Sequence, residues 1–335
     1  WNTTETTQDI SVSNSGMYNI AVTDTNGCVG YDTTLVSIID PTISQIDTNI
    51  CVGDSLVLSI DTTSGNSCKV LPVNLQNGLV AHYPFCGNAN DESGNGNDGT
   101  VNGAALTSDR FGNINNAYSF DGVDDNIDID ILTNKLSNSD GFTFGGWFKS
   151  NLQNIAIPFW GNIIFSANNS TDNIIRFGTE YNGGLYQQFN VSGTGASVVN
   201  GNYNSNIWHF ISITRAPGST QTTIEVSIDN NLIFTSTALI EWDIANIFTI
   251  GAEYDAGLGD FFNGIIDDIN IYDRVLSATE IQQLYTHGNY DITWSTGDTT
   301  SSITVQPATT TTYSVTVDDG ISTCTDDVTI TVNDP

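Results

Sequence analysis

Basic residues are scarce in this chain of 335 residues, in which 7 lysines and arginines face 38 aspartates and glutamates. The resulting formal net charge of −31 repels the phosphates of nucleic acids and anionic membrane surfaces, so we expect neither as a partner. The charge favours cations and neutral molecules as partners. An acidic surface that keeps an extracellular protein in solution accounts for the same charge equally well, and both interpretations stay open.

Long apolar runs and helical periodicity are also missing. No stretch approaches the roughly 20 apolar residues of a membrane helix, and valine and isoleucine recur at spacing two among abundant threonine, serine, asparagine, aspartate and glycine. This pattern predicts an all-β chain. The exception is Ser277–Tyr285, where Ser277 and Glu280 form an S-x-x-E capping box ahead of an apolar helical side.

The chain begins with Trp1 rather than methionine and carries no signal peptide, so we expect it to be part of a longer protein. Its five cysteines have neither the C-x-x-C spacing of a metal site nor a histidine-paired nucleophile nearby. They predict disulfides and an oxidising compartment, with one cysteine left over: Cys28, Cys51, Cys68, Cys86 and Cys324. The three histidines, His82, His209 and His287, are predicted to serve packing.

Two stretches, Trp1–Ile39 and Trp294–Val332, share one order of motifs. Each has a tryptophan, paired threonines, an Ile-x-Val strand, a tyrosine strand, a turn with cysteine and a last alternating strand. They read as two copies of one half-domain and resemble the second half of the Ig-like or PKD-like repeats of large bacterial surface proteins. The matching first half, CVGDSLVLSI, stands at Cys51–Ile60, yet its tryptophan strand arrives only at Ile292–Trp294.

Three blocks between these parts occur in the order typical of a second family: Gly78–Asp125, Phe142–Lys149 (FTFGGWFK) and Gly264–Tyr285. Together they resemble laminin-G-like, concanavalin-A-like jelly rolls of pentraxin type from bacterial secreted proteins. The resemblance implies a two-sheet sandwich at residues 69–289, inserted into an Ig-like domain split into 41–68 and 290–335. Residues 1–40 are then the second half of another Ig-like domain. Three consecutive domains are the alternative.

The two resemblances imply pairings for four of the cysteines. Cys51 and Cys324 would close the split domain, and Cys68 and Cys86 would join the entry of the jelly roll to its first strand.

The second resemblance implies calcium near the DESGNGNDG loop and the IDD block of the last strand. The matching positions are Asp91, Asn95 and Asp267, with Asp121 as a weaker fourth, and carbonyls and water must supply further oxygens. Hydrogen-bonded turns without an ion are the alternative. A second acidic group is predicted to be a solvated strand face: Asp124, Asp125, Asp128 and Asp130.

Hydrolytic jelly rolls carry an E-x-D-x-x-E strand with two catalytic carboxylates. Here Glu241 and Asp243 are followed by Asn246 in place of the third acid, so we expect no enzymatic activity. Sugar binding uses aromatic faces and polar hydrogen-bonding groups. The aromatic residues predicted for it lie in loop-rich segments: Trp160, Tyr181, Tyr186 and Tyr254.

Together these features predict a non-enzymatic segment of an extracellular adhesin or surface filament. Ig-like spacers display a calcium-stabilised jelly roll that binds a glycan or a cell-surface protein, and copies of the chain associate in a filament. One alternative is the accessory carbohydrate-binding region of a secreted polysaccharide-degrading enzyme. The other is a purely structural repeat.

Overall fold

The computed structural model of the protein describes residues 6–10, 16–23, 29–36, 42–61, 71–137, 140–151, 162–169, 173–180, 183–189, 197–218, 222–238, 245–254, 257–288, 291–318 and 323–333. The chain divides into two compact units. The first combines Trp1–Val73 with Thr286–Pro335, and the second is Asn74–Tyr285. The first unit is therefore discontinuous in sequence, and the second is continuous.

Almost all of the described secondary structure is β-strand. The first strands are β1 (Gly16–Thr23), β2 (Val29–Val36), β3 (Thr42–Ile43), β4 (Thr48–Cys51) and β5 (Leu56–Asp61). The second unit contains β6 (Leu79–Tyr83), β7 (Thr100–Asn102), β8 (Ala105–Thr107), β9 (Ala117–Asp121), β10 (Asn126–Asp128), β11 (Phe142–Ser150), β12 (Asn162–Asn168), β13 (Asn173–Thr179), β14 (Leu185–Phe189), β15 (Ser197–Val199), β16 (His209–Arg215), β17 (Thr222–Ile228), β18 (Asn231–Ala238), β19 (Ile247–Ile250), β20 (Glu253–Tyr254), β21 (Leu258–Gly259) and β22 (Asn263–Tyr272). The last strands are β23 (Asp291–Trp294), β24 (Ser302–Val305), β25 (Thr311–Asp318) and β26 (Thr323–Asn333). The predicted all-β fold is confirmed.

In the first unit, strands from both ends of the chain share two sheets. One has the order β23-β25-β26-β4, with β4 parallel to β26, and the other has the order β24-β5-β3. Their inner faces enclose one core, in which Trp294, Leu58 and Ile330 are almost fully buried. Residues 42–61, 291–318 and 323–333 therefore fold together. The identification of this unit as an Ig-like domain stays a prediction.

The strands β1 and β2 form an antiparallel pair, as do β25 and β26. Within the described residues, β1 and β2 make a sheet of two strands only.

The second unit is a sandwich of two large antiparallel sheets. The seven-stranded sheet has the order β15-β14-β13-β12-β19-β10-β7. The other has the order β18-β17-β16-β11-β22-β9-β8, and β6 pairs with β22 as its eighth strand. A single core fills the space between them, in which Phe144 contacts Phe165 and Phe177 at ring-centroid distances of 5.0 and 4.7 Å. This is the jelly-roll sandwich that the sequence predicts.

Alternation of apolar and polar residues explains how single strands fit this sandwich. In β17, Ile224, Val226 and Ile228 are buried, whereas Thr223 and Glu225 on the alternate positions are exposed. Successive side chains of a strand point to opposite faces, so one face joins the core and the other meets solvent.

The predicted helix is confirmed as α1 (Ala278–Thr286). Its capping box forms as expected, because the Ser277 amide donates to Glu280 Oε2 at 2.8 Å and the Glu280 amide donates to Ser277 Oγ at 3.3 Å. Two short 3-10 helices, Val73–Gln76 and Asp130–Leu132, complete the described elements. No helix among the described residues has the length and apolar character that crossing a membrane requires.

The predicted Cys51–Cys324 disulfide is wrong, because both residues are free cysteines. In the parallel pair of β4 and β26, Cys51 lies opposite Asn333. Cys324 lies nine residues away along β26, about 30 Å in an extended strand, whereas a disulfide needs Cα atoms about 6 Å apart. Cys86 is disulfide-bonded. Its predicted partner Cys68 lies outside the described residues, as does Cys28, so that pairing stays a prediction.

Candidate functional site

The Asn-Gly-Asp loop, residues 86–99, is organised by the buried carboxylate of Asp91. Its Oδ1 accepts hydrogen bonds from the amides of His82 and Ser93 at 3.0 and 2.9 Å. Its Oδ2 accepts from Ser93 Oγ at 2.8 Å and from the amide of Asn97 at 2.9 Å. Both carboxylate oxygens thus already bind protein donors, which is the hydrogen-bonded turn given above as the alternative to an ion site.

The asparagines of the same loop fasten it to β6. Asn95 Nδ2 donates to the carbonyls of Leu79 and Val80 at 2.8 and 3.2 Å, and Asn97 Nδ2 donates to Val80 at 2.7 Å. The Tyr83 hydroxyl donates to the Asn97 carbonyl at 2.6 Å. The amide of Asn95 therefore acts as a donor to the backbone in this structure.

Asp267 is fully buried and is held by an arginine. Arg110 Nη1 lies 2.7 Å from Asp267 Oδ2, and Arg110 Nη2 lies 2.9 Å from Asp268 Oδ2. The guanidinium carbon lies 4.3 Å from the ring centre of Phe111 and 4.7 Å from that of Trp147. A bidentate, stacked guanidinium provides the positive charge that these two carboxylates need.

The predicted calcium set of Asp91, Asn95, Asp121 and Asp267 stays a prediction, and the structure places its members in different surroundings. The carboxylates of Asp91 and Asp267 bind amide, hydroxyl and guanidinium donors, and neither lies in a group of metal-ligating side chains within the described residues. The physical reason is that the loop glycines and asparagines close the turn on itself and that Arg110 reaches the IDD block.

The FDG loop, residues 120–125, gathers three carboxylates instead. Oxygens of Asp121, Asp124 and Asp125 lie within 4.8 Å of one another, and this is the one such group that the described ranges contain. Asp121 Oδ1 accepts from the Val123 amide and Asp125 Oδ2 accepts from the Asp121 amide, both at 2.8 Å. A hard cation such as calcium takes six to eight oxygen ligands. Here the ligands would be the other oxygens of these two carboxylates and the exposed carboxylate of Asp124.

Asp125 is the buried member of this group. Its Oδ1 lies over Gly103, where a Cβ would collide with it, and Gly103 has a φ of +82° that favours glycine. Burial raises the pKa of Asp125, and the charges of Asp121 and Asp124 raise it further, against the hydrogen bond from the Asp121 amide. A bound cation would relieve this repulsion.

The prediction of one solvated acidic face at residues 124–130 is wrong for Asp125 and Asp130. Asp125 is buried in the FDG loop, whereas Asp130 Oδ1 accepts from the Phe248 amide at 2.6 Å. Burial raises the pKa of Asp130, as does the neighbouring Asp128, whose Oδ1 accepts from the Asp130 amide at 2.8 Å. These acids bind backbone amides, and only Asp124 is fully exposed.

Two of the predicted sugar-stacking residues, Trp160 and Tyr181, lie outside the described residues. Tyr186 is buried, with the Arg176 guanidinium carbon 5.2 Å from its ring centre and its hydroxyl 3.1 Å from Gln188 Oε1. Its ring is therefore not exposed for stacking on a sugar. Tyr254 is half-buried on β20, so of the two predicted residues that the structure describes it is the one that a ligand can reach.

A polar cluster around Arg176 occupies the outer face of the seven-stranded sheet. Arg176 lies between Ile175 and Phe177, which point into the core, so its own side chain points outward. Its Nε donates to Gln188 Oε1 at 2.8 Å, the residue directly opposite on β14. Its Nη1 lies 2.7 Å from Glu253 Oε2 and 3.6 Å from Asp260 Oδ2.

The hairpin of β20 and β21 and the connection that follows it border this cluster. We call Tyr254, Leu258, Asp260 and Phe261 the hairpin surface, because all four are partly or fully exposed there while Glu253 beside them is buried. The same connection continues to Asn263, whose Nδ2 donates to the Asp121 carbonyl at 3.0 Å. The hairpin surface and the FDG loop are therefore joined by one short segment.

Arg176, Glu253, Asp260 and Phe261 were not predicted from the sequence. A usable signal exists for Arg176, because an arginine inside the apolar strand NIIRFGT of so acidic a chain must find carboxylate partners. Nothing in the sequence names those partners, since they come from a hairpin about 80 residues later.

The remaining predicted positions give no sign of catalysis. Glu241 and Asp243 lie outside the described residues, and Asn246 is exposed, with its amide donating to the Asn168 carbonyl at 3.0 Å. His82 is buried with Nδ1 2.8 Å from Asn270 Oδ1, and His209 Nδ1 lies 2.8 Å from Asp229 Oδ2. These two histidines serve packing and turn formation.

Comparison with known proteins agrees with this architecture. Residues 121–282 match a laminin-G-type family model described as the concanavalin A-like lectin/glucanases superfamily. No curated protein sequence matches the chain.

Three solved structures illustrate the likeness in fold. The binding domain of Paraclostridial Mosquitocidal Protein 1 is 18% identical, with a TM-score of 0.51 over 65% of this chain and 54% of that one. Domain 4 of an extracellular arabinanase from Geobacillus stearothermophilus, solved in complex with arabinotriose, is 17% identical with a TM-score of 0.46, over 62% of this chain and 98% of that one. The botulinum neurotoxin serotype D ligand-binding domain, solved in complex with N-acetylneuraminic acid, is 15% identical with a TM-score of 0.48, over 63% and 51%.

The chain spans about half the length of these two toxin domains. The likeness to the first of these, at 18% identity and a TM-score of 0.51, shows a shared fold and nothing more. Together with the sandwich topology, the family match shows that residues 121–282 form a laminin-G-like jelly roll of the concanavalin A-like lectin/glucanase superfamily.

Proposed function

We propose that the second unit is a non-enzymatic binding module that takes carbohydrate on its hairpin surface. The superfamily includes both lectins, which bind carbohydrate, and glucanases, which cleave it, so the geometry of the site has to distinguish the two. The observation that carries the proposal is the engagement of Glu253 and Asp260 by the single guanidinium of Arg176.

Glycoside hydrolysis requires one carboxyl group that donates a proton and a second carboxylate that acts as nucleophile or base. Glu253 and Asp260 both contact the same guanidinium of Arg176, which is an ion-pair arrangement and not a proton donor placed opposite a separate nucleophile. The strand segment that supplies the catalytic acids in hydrolytic jelly rolls has Asn246 at its third position. Binding therefore suits this arrangement better than cleavage does.

The hairpin surface has the mixture of groups that sugars need. Tyr254 and Phe261 offer partly exposed rings, Leu258 is 45% exposed and offers an apolar contact, and Asp260 offers a hydrogen-bond acceptor. Arg176 and Gln188 beneath them are fixed by their own hydrogen bonds, so the surface is held in place before a ligand arrives.

The proposal retains calcium as a structural ion but moves it to the FDG loop. Asp121, Asp124 and Asp125 would hold it, with backbone carbonyls and water completing the shell. When bound, the ion would offset the mutual repulsion of the three carboxylates and fix the loop beside the hairpin surface. It has no role in bond cleavage.

The wider context that we propose is an extracellular adhesin or surface filament in which the first unit is a spacer. The acidic charge and the oxidised Cys86 support an extracellular location. An accessory module of a secreted polysaccharide-degrading enzyme makes the same prediction for the jelly roll itself. The two contexts differ only in which domains flank it, and a purely structural repeat would bind nothing.

The test measures binding of the whole chain to immobilised neutral oligosaccharides, including arabinotriose, lactose and cellotriose. We expect Tyr254→Ala to weaken binding at least about tenfold and Leu258→Ala about threefold, because each removes apolar contact area with the sugar. Leu232→Ala is the matched control: this residue is 59% exposed on β18 of the other sheet. It should leave the affinity unchanged.

Absence of binding to every oligosaccharide would contradict the proposal. An equal loss from Leu232→Ala and Leu258→Ala would place the ligand elsewhere. Release of new reducing ends from any of the glycans would contradict the non-enzymatic assignment.

A further inference from the structure

Four of the seven basic side chains of this chain, its arginines, are engaged by its own fold. Each of the four arginines has protein acceptors. Arg110 is bound by Asp267 and Asp268, Arg176 by Glu253 and Asp260, and Arg274 by Glu280 at 2.7 Å. Arg215 is fully buried and donates from Nη1 to the Asp140 carbonyl at 2.8 Å.

The lysines do not change this balance at the hairpin surface. The sequence has three of them, and Lys69 precedes the second unit. Lys149 lies on β11 in the eight-stranded sheet, whereas the hairpin surface belongs to the seven-stranded side. Lys135 is exposed in the turn after the second 3-10 helix. Apart from Lys135, Lys149, four arginines and two histidines, the second unit contains only neutral and acidic residues.

The charge around the hairpin surface is strongly negative. Five carboxylates and one guanidinium lie in the Arg176 cluster and the joined FDG loop, a net formal charge of −4: Glu253, Asp260, Asp121, Asp124, Asp125 and Arg176. The neighbouring sequence adds acids and no further bases, since Glu241, Asp243 and Asp255 are nearby in the chain. A ligand carboxylate or sulfate here would meet like charge.

Proteins recognise carboxylates and sulfates with a guanidinium or ammonium whose charge is not already balanced. Arg176 does not fit that role, because two carboxylates share its Nη1. Its side chain also hydrogen-bonds to Tyr186, so the described contacts of this guanidinium are all with groups of the protein itself.

We infer that the ligand class of the hairpin surface is the neutral glycans, and that sialylated, sulfated and uronic-acid glycans are excluded by charge. This inference rests on the proposed carbohydrate-binding function and names the chemistry that the same surface accepts. The surrounding carboxylates reject anionic substituents, and the guanidinium of Arg176, already balanced by Glu253 and Asp260, does not offset them.

The test compares glycans that differ only in charge. Lactose is paired with 3′-sialyllactose, and the α-1,4-linked galactose trimer is paired with trigalacturonic acid. Binding to the whole chain is measured in EDTA and again in millimolar calcium, at low and at physiological salt. In EDTA we expect the neutral member of any pair that binds to exceed the acidic member at least about tenfold. The preference should narrow as salt screens the repulsion.

A charge variant makes the inference sharper. Glu253→Gln combined with Asp260→Asn keeps the size of both side chains but leaves the guanidinium of Arg176 unbalanced. We expect the ratio of neutral to acidic binding to fall about tenfold in this variant. Glu225→Gln on β17, an exposed residue of the other sheet, is the matched control and should leave the ratio unchanged. Circular dichroism confirms that each variant is folded.

The outcomes separate the inference from the function on which it rests. Binding to no member of either pair would contradict the proposed function. Equal or tighter binding of the acidic members in EDTA would overturn the inference and leave carbohydrate binding intact. Tight acidic binding that requires calcium would also overturn it, because the ion and not the neutral chemistry of Arg176 would then select the ligand. If the Glu225→Gln control changed the ratio as much as the double variant, selection by the Arg176 cluster would be wrong.

Discussion

Two groups of acidic residues in the jelly roll are built from the same residue types but are used differently. Asp91 and Asp267 meet donors of the protein itself, amides and a hydroxyl for the first and the Arg110 guanidinium for the second. Asp121, Asp124 and Asp125 gather oxygens within 4.8 Å of one another without a positive side chain among them. Acidic loops of one fold can therefore serve folding or binding, according to the donors that surround their carboxylates.

The comparison also bears on the calcium prediction, which named Asp91 and Asp267. The Asn-Gly-Asp loop has the composition of a cation-binding loop, yet its carboxylate faces inward toward the amides of β6 and its own turn. Composition alone does not reveal which way a carboxylate points.

Arg110→Gln tests the ion pairs of Asp267, one of the two carboxylates that bind donors of the protein itself. It leaves the buried carboxylates of Asp267 and Asp268 without their counter-charge, and we expect a loss of about 3 to 5 kcal/mol of stability. Thermal unfolding followed by circular dichroism measures the effect. Lys135→Gln removes one exposed positive charge as a control and should change the melting temperature by less than about 1 °C. Equal effects of the two variants would show that the ion triad does not stabilise the fold.

A pair of variants, Asp91→Ala and Asp124→Ala, tests the difference between the two acidic groups directly. The first removes four hydrogen bonds and leaves buried amide donors of His82 and Asn97 unpaired, which costs about 3 kcal/mol. The second removes an exposed carboxylate that holds no amide of the loop, so we expect a change within about 0.5 kcal/mol in EDTA. If the two variants destabilised the protein equally, the distinction between the two acidic groups would be wrong.

Calcium should act on the second group alone. Millimolar calcium is expected to raise the melting temperature of the protein by several degrees, because an ion bound only by the native state stabilises it by about 2.7 kcal/mol at one hundred times its Kd. Asp124→Ala should abolish this rise, whereas Asp91→Asn should retain it. No rise in the parent protein would exclude the FDG loop as a calcium site.

Asp125→Asn is expected to raise the stability of the protein in EDTA, whereas Asp91→Ala lowers it. Burial and neighbouring charges raise the pKa of Asp125, so the folded state holds this proton more tightly than the unfolded chain and the ionised form destabilises the fold at pH 7. In EDTA the variant should melt about 2 °C higher than the parent, and its response to calcium should be smaller. A lower melting temperature in EDTA would contradict the role given to the buried charge.

The smallest expected effect concerns Glu280 at the start of α1. The hydrogen bond from Arg274 lowers its pKa from an ordinary 4.5 to about 2, helped by the bonds from Ser277. Because the pKa is lowered by folding, the stabilisation is fully present above pH 4.5 and is lost as the pH falls toward 2. Glu280→Gln should cost about 1 kcal/mol at pH 7 and nothing near pH 2, since the pair is partly exposed. A loss that did not depend on pH would assign the effect to packing.

Much of the fold could be predicted from the sequence because it depends on local patterns. The recurrence of valine and isoleucine at spacing two predicted the all-β class, and the S-x-x-E box predicted α1. The FTFGGWFK and IDD blocks identified the jelly roll, which the family match confirms.

The site could not be predicted in the same way because its partners are distant in sequence. Arg110 meets Asp267 across 157 positions, and Arg176 on β13 meets Glu253 on β20 with six strands between them in the chain. The Cys51–Cys324 prediction failed for a related reason: the parallel register of β4 and β26 sets the two residues at opposite ends of one strand pair. Register is a tertiary property that the motifs do not encode.

We expect the ligand to bind at the hairpin surface and the FDG loop, away from the Asn-Gly-Asp loop. Backbone hydrogen exchange of the whole chain, with and without the tightest-binding neutral oligosaccharide, tests it most directly. We predict slower exchange at residues 251–263 and 121–126, and unchanged exchange at residues 86–99. Protection confined to residues 86–99, or to strands of the eight-stranded sheet remote from the FDG loop, would contradict the account.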